Sequence, residues 1–268
     1  MKLHERPSGR RIQFMATCLC DAFYPHVAKS AVEVLERLGC EIEFPPDQTC
    51  CGQPAFNAGD WPCSREVVRH TVDVFRGDKP VVVPSGSCSA MMFHGAPLEF
   101  EREGDLAVVE AVGARTWELV DYIVNGLGID RWPGRFAYRV AFHTSCHSRG
   151  TGSGEAALKL LSSIDGLELV TFDDAEQCCG FGGAFSVTFP NISTKMGRLK
   201  LDNALKEQPD ILVSADMGCL MHIGGLVGRE ARPVKCLHIT EVLAAALKGG
   251  ATGPSARASA SQRPAPES

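Results

Sequence analysis

Tyr138-Arg-Val-Ala-Phe-His-Thr144 is the stretch whose reading decides the fold. It is rich in β-branched and aromatic residues, which marks a strand, and it stops just before Cys146. A second stretch, Arg11-Ile-Gln-Phe-Met-Ala-Thr17, has the same character and runs into Cys18. Outward from each, the same order of patterns follows. Helical spacing of Leu and Val appears over Val27–Leu38 and Glu155–Leu161. Short strands follow at Glu41–Phe44 and Leu167–Val170, leading into Cys50-Cys51-Gly52 and Cys178-Cys179-Gly180. Helical patterns return at Ser64–Phe75 and Ser193–Leu205, and third strands, Pro80–Pro84 and Asp210–Val213, precede Cys88 and Cys219.

Strands alternating with helices predict βαβ units, hence a parallel sheet in each half and an α/β fold of two pseudo-symmetric domains. The expected divisions are a lead over residues 1–10, a first domain over 11–132, a second over 133–248, and a disordered Gly/Ala/Ser/Pro-rich tail over 249–268. The segment Thr116–Val124 reads as a helix ahead of the connector containing Gly126, Gly128, Pro133 and Gly134. Pro233–Cys236 reads as a closing strand and Ile239–Lys248 as a closing helix.

The cysteines repeat with the pattern. Cys50 lies 32 positions after Cys18, Cys178 lies 32 after Cys146, and 128 positions separate the two leading thiols. In a parallel sheet the loops after the strands converge on one edge, so thiols far apart in sequence meet in space. That predicts one four-thiol pocket per half. Structural zinc sites usually draw ligands from two short CxxC knuckles. One lone cysteine, one adjacent pair and another lone cysteine favour a cluster, whose separate iron atoms each take a thiolate.

Composition narrows the setting. The chain has 268 residues, 44% apolar and 22% charged, with net charge −5. The absence of a basic excess argues against nucleic acid as a partner. No apolar run is long enough to span a bilayer, and the charged N-terminus offers no signal segment, so a cytoplasmic protein is expected. There, twelve cysteines point to metal or redox chemistry rather than structural disulfides.

The motifs C-x31-CCG-x36-C and C-x31-CCG-x39-C, with Pro84-Ser-Gly-Ser-Cys88, His143-Thr-Ser-Cys-His147 and Cys178-Cys-Gly-Phe-Gly-Gly183, resemble the CCG, or cysteine-rich, domain family of iron–sulfur proteins. That family includes heterodisulfide reductase subunits, iron–sulfur subunits of glycolate and glycerol-3-phosphate dehydrogenases, and bacterial lactate-utilisation proteins, which the chain resembles most. The resemblance covers about Arg11 to Leu247. It implies a soluble iron–sulfur electron-transfer component working with two sister lactate-utilisation proteins, one of ferredoxin type, in oxidation of L-lactate to pyruvate. It implies one or two [4Fe-4S] clusters, with Cys18, Cys50, Cys51 and Cys88 as one ligand set and Cys146, Cys178, Cys179 and Cys219 as the other. Thiol–disulfide exchange of the heterodisulfide reductase kind, another 2-hydroxy acid such as glycolate, and a zinc-stabilised scaffold are the competing readings.

The fuller family pattern ends in CxxC. Here Ser85 and Asp216 occupy the first of those two cysteine positions, leaving four thiols per half. Asp216 is read as a solvated or capping carboxylate ahead of an oxygen ligand. His147 and Arg149 are candidates for proton acceptor and carboxylate anchor of a 2-hydroxy acid, against a structural role donating hydrogen bonds around a cluster, which takes precedence. His222 and His238 read as satisfied core histidines. Cys40 and Cys236 read as buried apolar side chains, and Cys20 as an incidental thiol with a secondary claim as a ligand.

Overall fold

The computed structural model describes residues 9–249, so the expected tail, but for Gly249, and all but two residues of the expected lead lie outside the described residues. Among the described residues, eight strands form two four-stranded sheets. The first comprises β1 (Arg11–Phe14), β2 (Glu41–Glu43), β3 (Val81–Val83) and β4 (Thr116–Glu118); the second comprises β5 (Arg139–His143), β6 (Glu168–Val170), β7 (Ile211–Ser214) and β8 (Lys235–His238). Their orders, β2-β1-β3-β4 and β6-β5-β7-β8, are the same topology, and every pairing is parallel. The registers match too: Phe14 lies opposite Val82, and Phe142 opposite Val213. The two-half parallel α/β fold expected from the sequence is therefore the fold observed.

One element differs. Thr116–Val124 begins as β4, and the helical turns start only at Leu119. Thr116, Trp117 and Glu118 are all buried, so no alternation between wet and dry faces distinguishes strand from helix. β4 completes the first sheet as β8 completes the second.

The largest apolar group belongs to both halves. Ile12, Phe14, Val34 and Leu35 pack in one cluster with Val140, Phe142, Val242 and Leu243. Helices Pro25–Arg37 and Ile239–Leu247 meet across this seam. Each buried Leu, Val or Phe contributes about 1.5–3 kcal/mol. The connector is anchored in the same cluster by Trp132 and Phe136, and the Trp132 indole donates to the Leu243 carbonyl at 2.9 Å. Among the described residues, no helix is long and apolar enough to cross a membrane.

β4 and β8 end on opposite kinds of buried acid–base group. Glu118 accepts from the Val120 and Asp121 amides. His238 accepts from the Thr240 amide, while Glu241 accepts from the His238 amide. Burial pushes the Glu118 carboxyl up to about 8 and the His238 imidazole down to about 4, so each caps its helix uncharged at neutral pH. The two act in opposite senses. Glu118 costs stability as pH rises from 4.5 towards 8, whereas the contribution of His238 is complete above 6.5 and is lost as pH falls through 4. His238→Asn keeps a capping acceptor without the titration. Urea unfolding at pH 7 and pH 4.5 is expected to show about 2–3 kcal/mol less acid destabilisation in this variant than in the parent chain.

Candidate metal centre

Each thiol is placed by the start of a helix or by the loop that leads to one. Cys18 opens the turn Cys18–Ala22, capped by the Thr17 hydroxyl, and Cys146 opens the 3-10 turn Cys146–Ser148. Cys50 and Cys51 precede Gly52, at φ +90°, and Cys178 and Cys179 precede Gly180, at φ +89°. A side chain at position 180 would also collide with the Ser193 carbonyl, 2.6 Å from where a Cβ would stand, so the second loop requires glycine for space as well as conformation. Cys88 and Cys219 lie in the first turns of helices Gly86–Ala90 and Met217–Arg229, whose caps are Ser85 and Asp216. The two residues that interrupt the CxxC pattern are thus the N-caps of the helices carrying the last thiols.

Asp216 does more than cap its own helix. Its Oδ1 accepts from the Gly218 and Cys219 amides at 3.0 and 3.3 Å. Its Oδ2 crosses to the other half, accepting from the Ser87 amide at 2.7 Å and the Ser85 hydroxyl at 3.3 Å. The carboxylate is buried, so the solvated reading of Asp216 gives way to a capping role shared by two helices.

The eight thiols of the repeat line a single cavity of about 160 Å³ between the halves. Two separate pockets were expected; the seam sets the two sheet edges against each other and merges them. Within it Cys18 and Cys50 sulfurs lie 3.7 Å apart, Cys51 and Cys88 3.4 Å, and Cys179 and Cys219 3.0 Å. Sharing of thiol protons sets their charge. Donation from Cys18 and then Cys51 holds the Cys50 thiol low, and donation from Cys146 and then Cys179 does the same for Cys178. The donors Cys18, Cys51, Cys146 and Cys179 are pushed up, first by those hydrogen bonds and then by burial. Metal uptake here must displace protons and strengthens as pH rises.

His147 lines the cavity with both ring nitrogens engaged. Gln53 Nε2 can only donate, so at 3.4 Å it takes the His147 Nε2 lone pair, which leaves Nδ1 to donate to the Cys146 sulfur at 3.5 Å. Gln53 also donates to the Ser87 carbonyl at 3.1 Å, tying the Cys146 turn to the Cys88 loop. Arg149 is exposed and outside the cavity lining. Cys20 is buried against Val27, Met217 and Leu220 and is not among the residues lining the cavity, while Cys40 is buried, Cys236 half-buried and Cys63 exposed. His222 Nε2 meets the Ser193 carbonyl at 3.1 Å.

Two polar groups of the second half matter more than the sequence suggested. His143 is fully buried; its Nδ1 donates to the Ala175 carbonyl at 3.1 Å, and its Nε2 has no hydrogen-bond partner. Burial first, and then the nearby Lys200 charge, lower it to about 4. Lys200 is also fully buried, donating to the Asp174 carbonyl 5.5 Å over the Phe172 ring. Burial lowers it to about 8, against the pull of Cys179 and Cys219. The available signal was a lysine on the buried stripe Gly197, Leu201 and Ala204 of its helix.

Duplicated parallel sheets delivering an adjacent cysteine pair and two lone cysteines apiece to a shared cavity define a class. The chain belongs to the cysteine-rich (CCG) domain family, whose model matches residues 12–93 and 140–224. Among curated proteins it is 44% identical over 240 residues to lactate utilization protein A of Geobacillus thermodenitrificans, covering 87% of this chain and 98% of that one. It is 40% identical over 241 residues to lactate utilization protein A 1 of Bacillus anthracis, covering 88% and 99%. Among solved structures, a hypothetical protein from Helicobacter pylori shares the fold at a TM-score of 0.60 and 11% identity, over 94% of this chain; the chain spans about half, 51%, of that protein.

Asp216→Ala removes four accepted hydrogen bonds from two helix starts and is expected to lower unfolding free energy by about 3 kcal/mol. Asp216→Asn, which keeps one acceptor oxygen and so two of the four bonds, is expected to lose at least half as much. Denaturant unfolding of both variants checks this.

Proposed function

We propose that the chain is an iron–sulfur electron-transfer component of a system that oxidises L-lactate to pyruvate, acting with two sister proteins, one of ferredoxin type. The observation that carries this is the cavity in which Cys18, Cys50, Cys51 and Cys88 face Cys146, Cys178, Cys179 and Cys219. Eight soft donors, with no disulfide among them, fit iron–sulfur clusters in their chemistry. The quartets would hold one or two [4Fe-4S] clusters, and such a cluster supplies one-electron storage at a potential tuned by its surroundings. With Ser85 and Asp216 committed to capping, each half offers four thiols, which supports a cubane over a five-thiol arrangement.

The lining also bears on where lactate is handled. Among the described residues that line the cavity there is no lysine or arginine, and Asp216 is the one carboxylate side chain. A 2-hydroxy acid would find no cationic anchor for its carboxylate. The lone pair of His147 that could accept a proton is already held by Gln53. Both features favour handling electrons here and substrate on a sister protein. The relatives named for lactate utilization supply the substrate in this reading.

Thiol–disulfide exchange is the second reading, favoured by the close approach of Cys179 to Cys219, 3.0 Å, and of Cys51 to Cys88, 3.4 Å. Anaerobic purification separates the two. Brown protein with about four iron and four acid-labile sulfide per cluster, bleached by L-lactate only when the sister proteins are added, is the expected result. Colourless protein with stoichiometric zinc and no sulfide overturns it, and an iron-free chain that reduces disulfides establishes the second reading.

A further inference from the structure

The registers that align the halves also align their differences. Phe14 pairs with Val82 as Phe142 pairs with Val213, so Met15 and His143 occupy equivalent places one residue further on. Met15 is buried in an apolar group with Cys51 and Val68. His143 is buried among polar and sulfur atoms. The Ala175 carbonyl can only accept, so it fixes the proton on Nδ1 and leaves a bare lone pair on Nε2. That lone pair cannot donate to a sulfur atom, and no protein donor reaches it. One of the donor atoms of His143 and the sulfurs of Cys179 and Cys219 all lie within 4.8 Å of one another. An ion held by thiolates at about 2.3 Å and an imidazole at about 2.0 Å keeps its donors roughly 3.5–4 Å apart, so a slight spreading of the two sulfurs from 3.0 Å, with the imidazole within 4.8 Å of both, brings this trio onto one metal.

The geometry points to His143 Nε2 as a direct metal ligand beside Cys179 and Cys219, so that the second half holds a mixed nitrogen–sulfur centre and the first an all-sulfur one. This rests on the second half binding metal, as proposed above. Backbone support of the ring through Nδ1 is the usual arrangement for a ligating histidine, fixing tautomer and orientation. Lys200 adds a second difference. It occupies the place of Thr71, since Ser64 and Ser193 both donate to the carbonyl of their CCG glycine and the buried positions of the two helices then coincide. Thr71 donates a neutral hydroxyl to the Cys50 carbonyl, whereas Lys200 sets an ammonium near Cys179 and Cys219.

The test is pulsed EPR of the anaerobically reconstituted full chain, reduced by one electron per centre, grown with 14N- or 15N-histidine. The expected result is a hyperfine coupling of the strength given by directly bound nitrogen, which changes with the isotope. It should survive His147→Gln and Met15→Leu and vanish in His143→Met and His143→Cys, the latter keeping its iron. If iron and sulfide are present and the wild-type chain shows no such coupling, the ligand assignment is overturned while the cluster reading stands. If iron and sulfide are absent, the cluster reading falls. The same comparison is then made on the chain loaded with Co(II), where a coupling independent of His143 overturns the assignment and one lost with His143 supports it.

Discussion

The apolar seam between the halves is the contact on which the site depends. Phe14 and Leu35 on one side, Phe142 and Leu243 on the other, remove from water the faces of two sheets that could each have been covered by helices of their own half. Because both sheets are parallel, their strand ends carry all the following loops to one edge. The seam turns those edges towards each other, and the eight thiols share one cavity as a result. The Asp216 carboxylate then locks the arrangement, since one oxygen belongs to each half. Its burial without a cationic partner is tolerable because four donors converge on it.

Much of this was legible in the chain. The strand endings at Cys18 and Cys146, the CCG loops and the last thiols at helix starts follow from periodicity and from the repeat. β4 was hidden because Thr116, Trp117 and Glu118 are dry on both faces, and period alone cannot separate a buried strand from a buried helix. The repeat itself carried the missing clue, because a closing strand in the second half called for a partner in the first. The shared cavity was not legible at all, because whether two domains face each other depends on surfaces drawn from helices far apart in sequence, here Pro25–Arg37 and Ile239–Leu247.

Polar partners were the other gap. His147 reads first as a hydrogen-bond donor around a cluster and only second as a proton acceptor, and Gln53, 94 residues away, occupies the lone pair that the second role needs. Ser85 reads as a lost ligand and Asp216 as a solvated or capping carboxylate, and in the fold both cap the turns that present Cys88 and Cys219. Substituting oxygen for sulfur at these two positions exchanged a donor to metal for an acceptor from the backbone.

The seam has a consequence for how the halves relate. Either half by itself would expose Phe14 with Leu35, or Phe142 with Leu243, and a second copy of itself could cover that face as the other half does here. The chain is in this sense a dimer whose subunits have been spliced end to end through Trp132 and Phe136. Two identical subunits must change together, whereas spliced ones are free to diverge. Met15 in the place of His143, and Thr71 in the place of Lys200, are that freedom in use, giving the two halves interiors of unequal polarity.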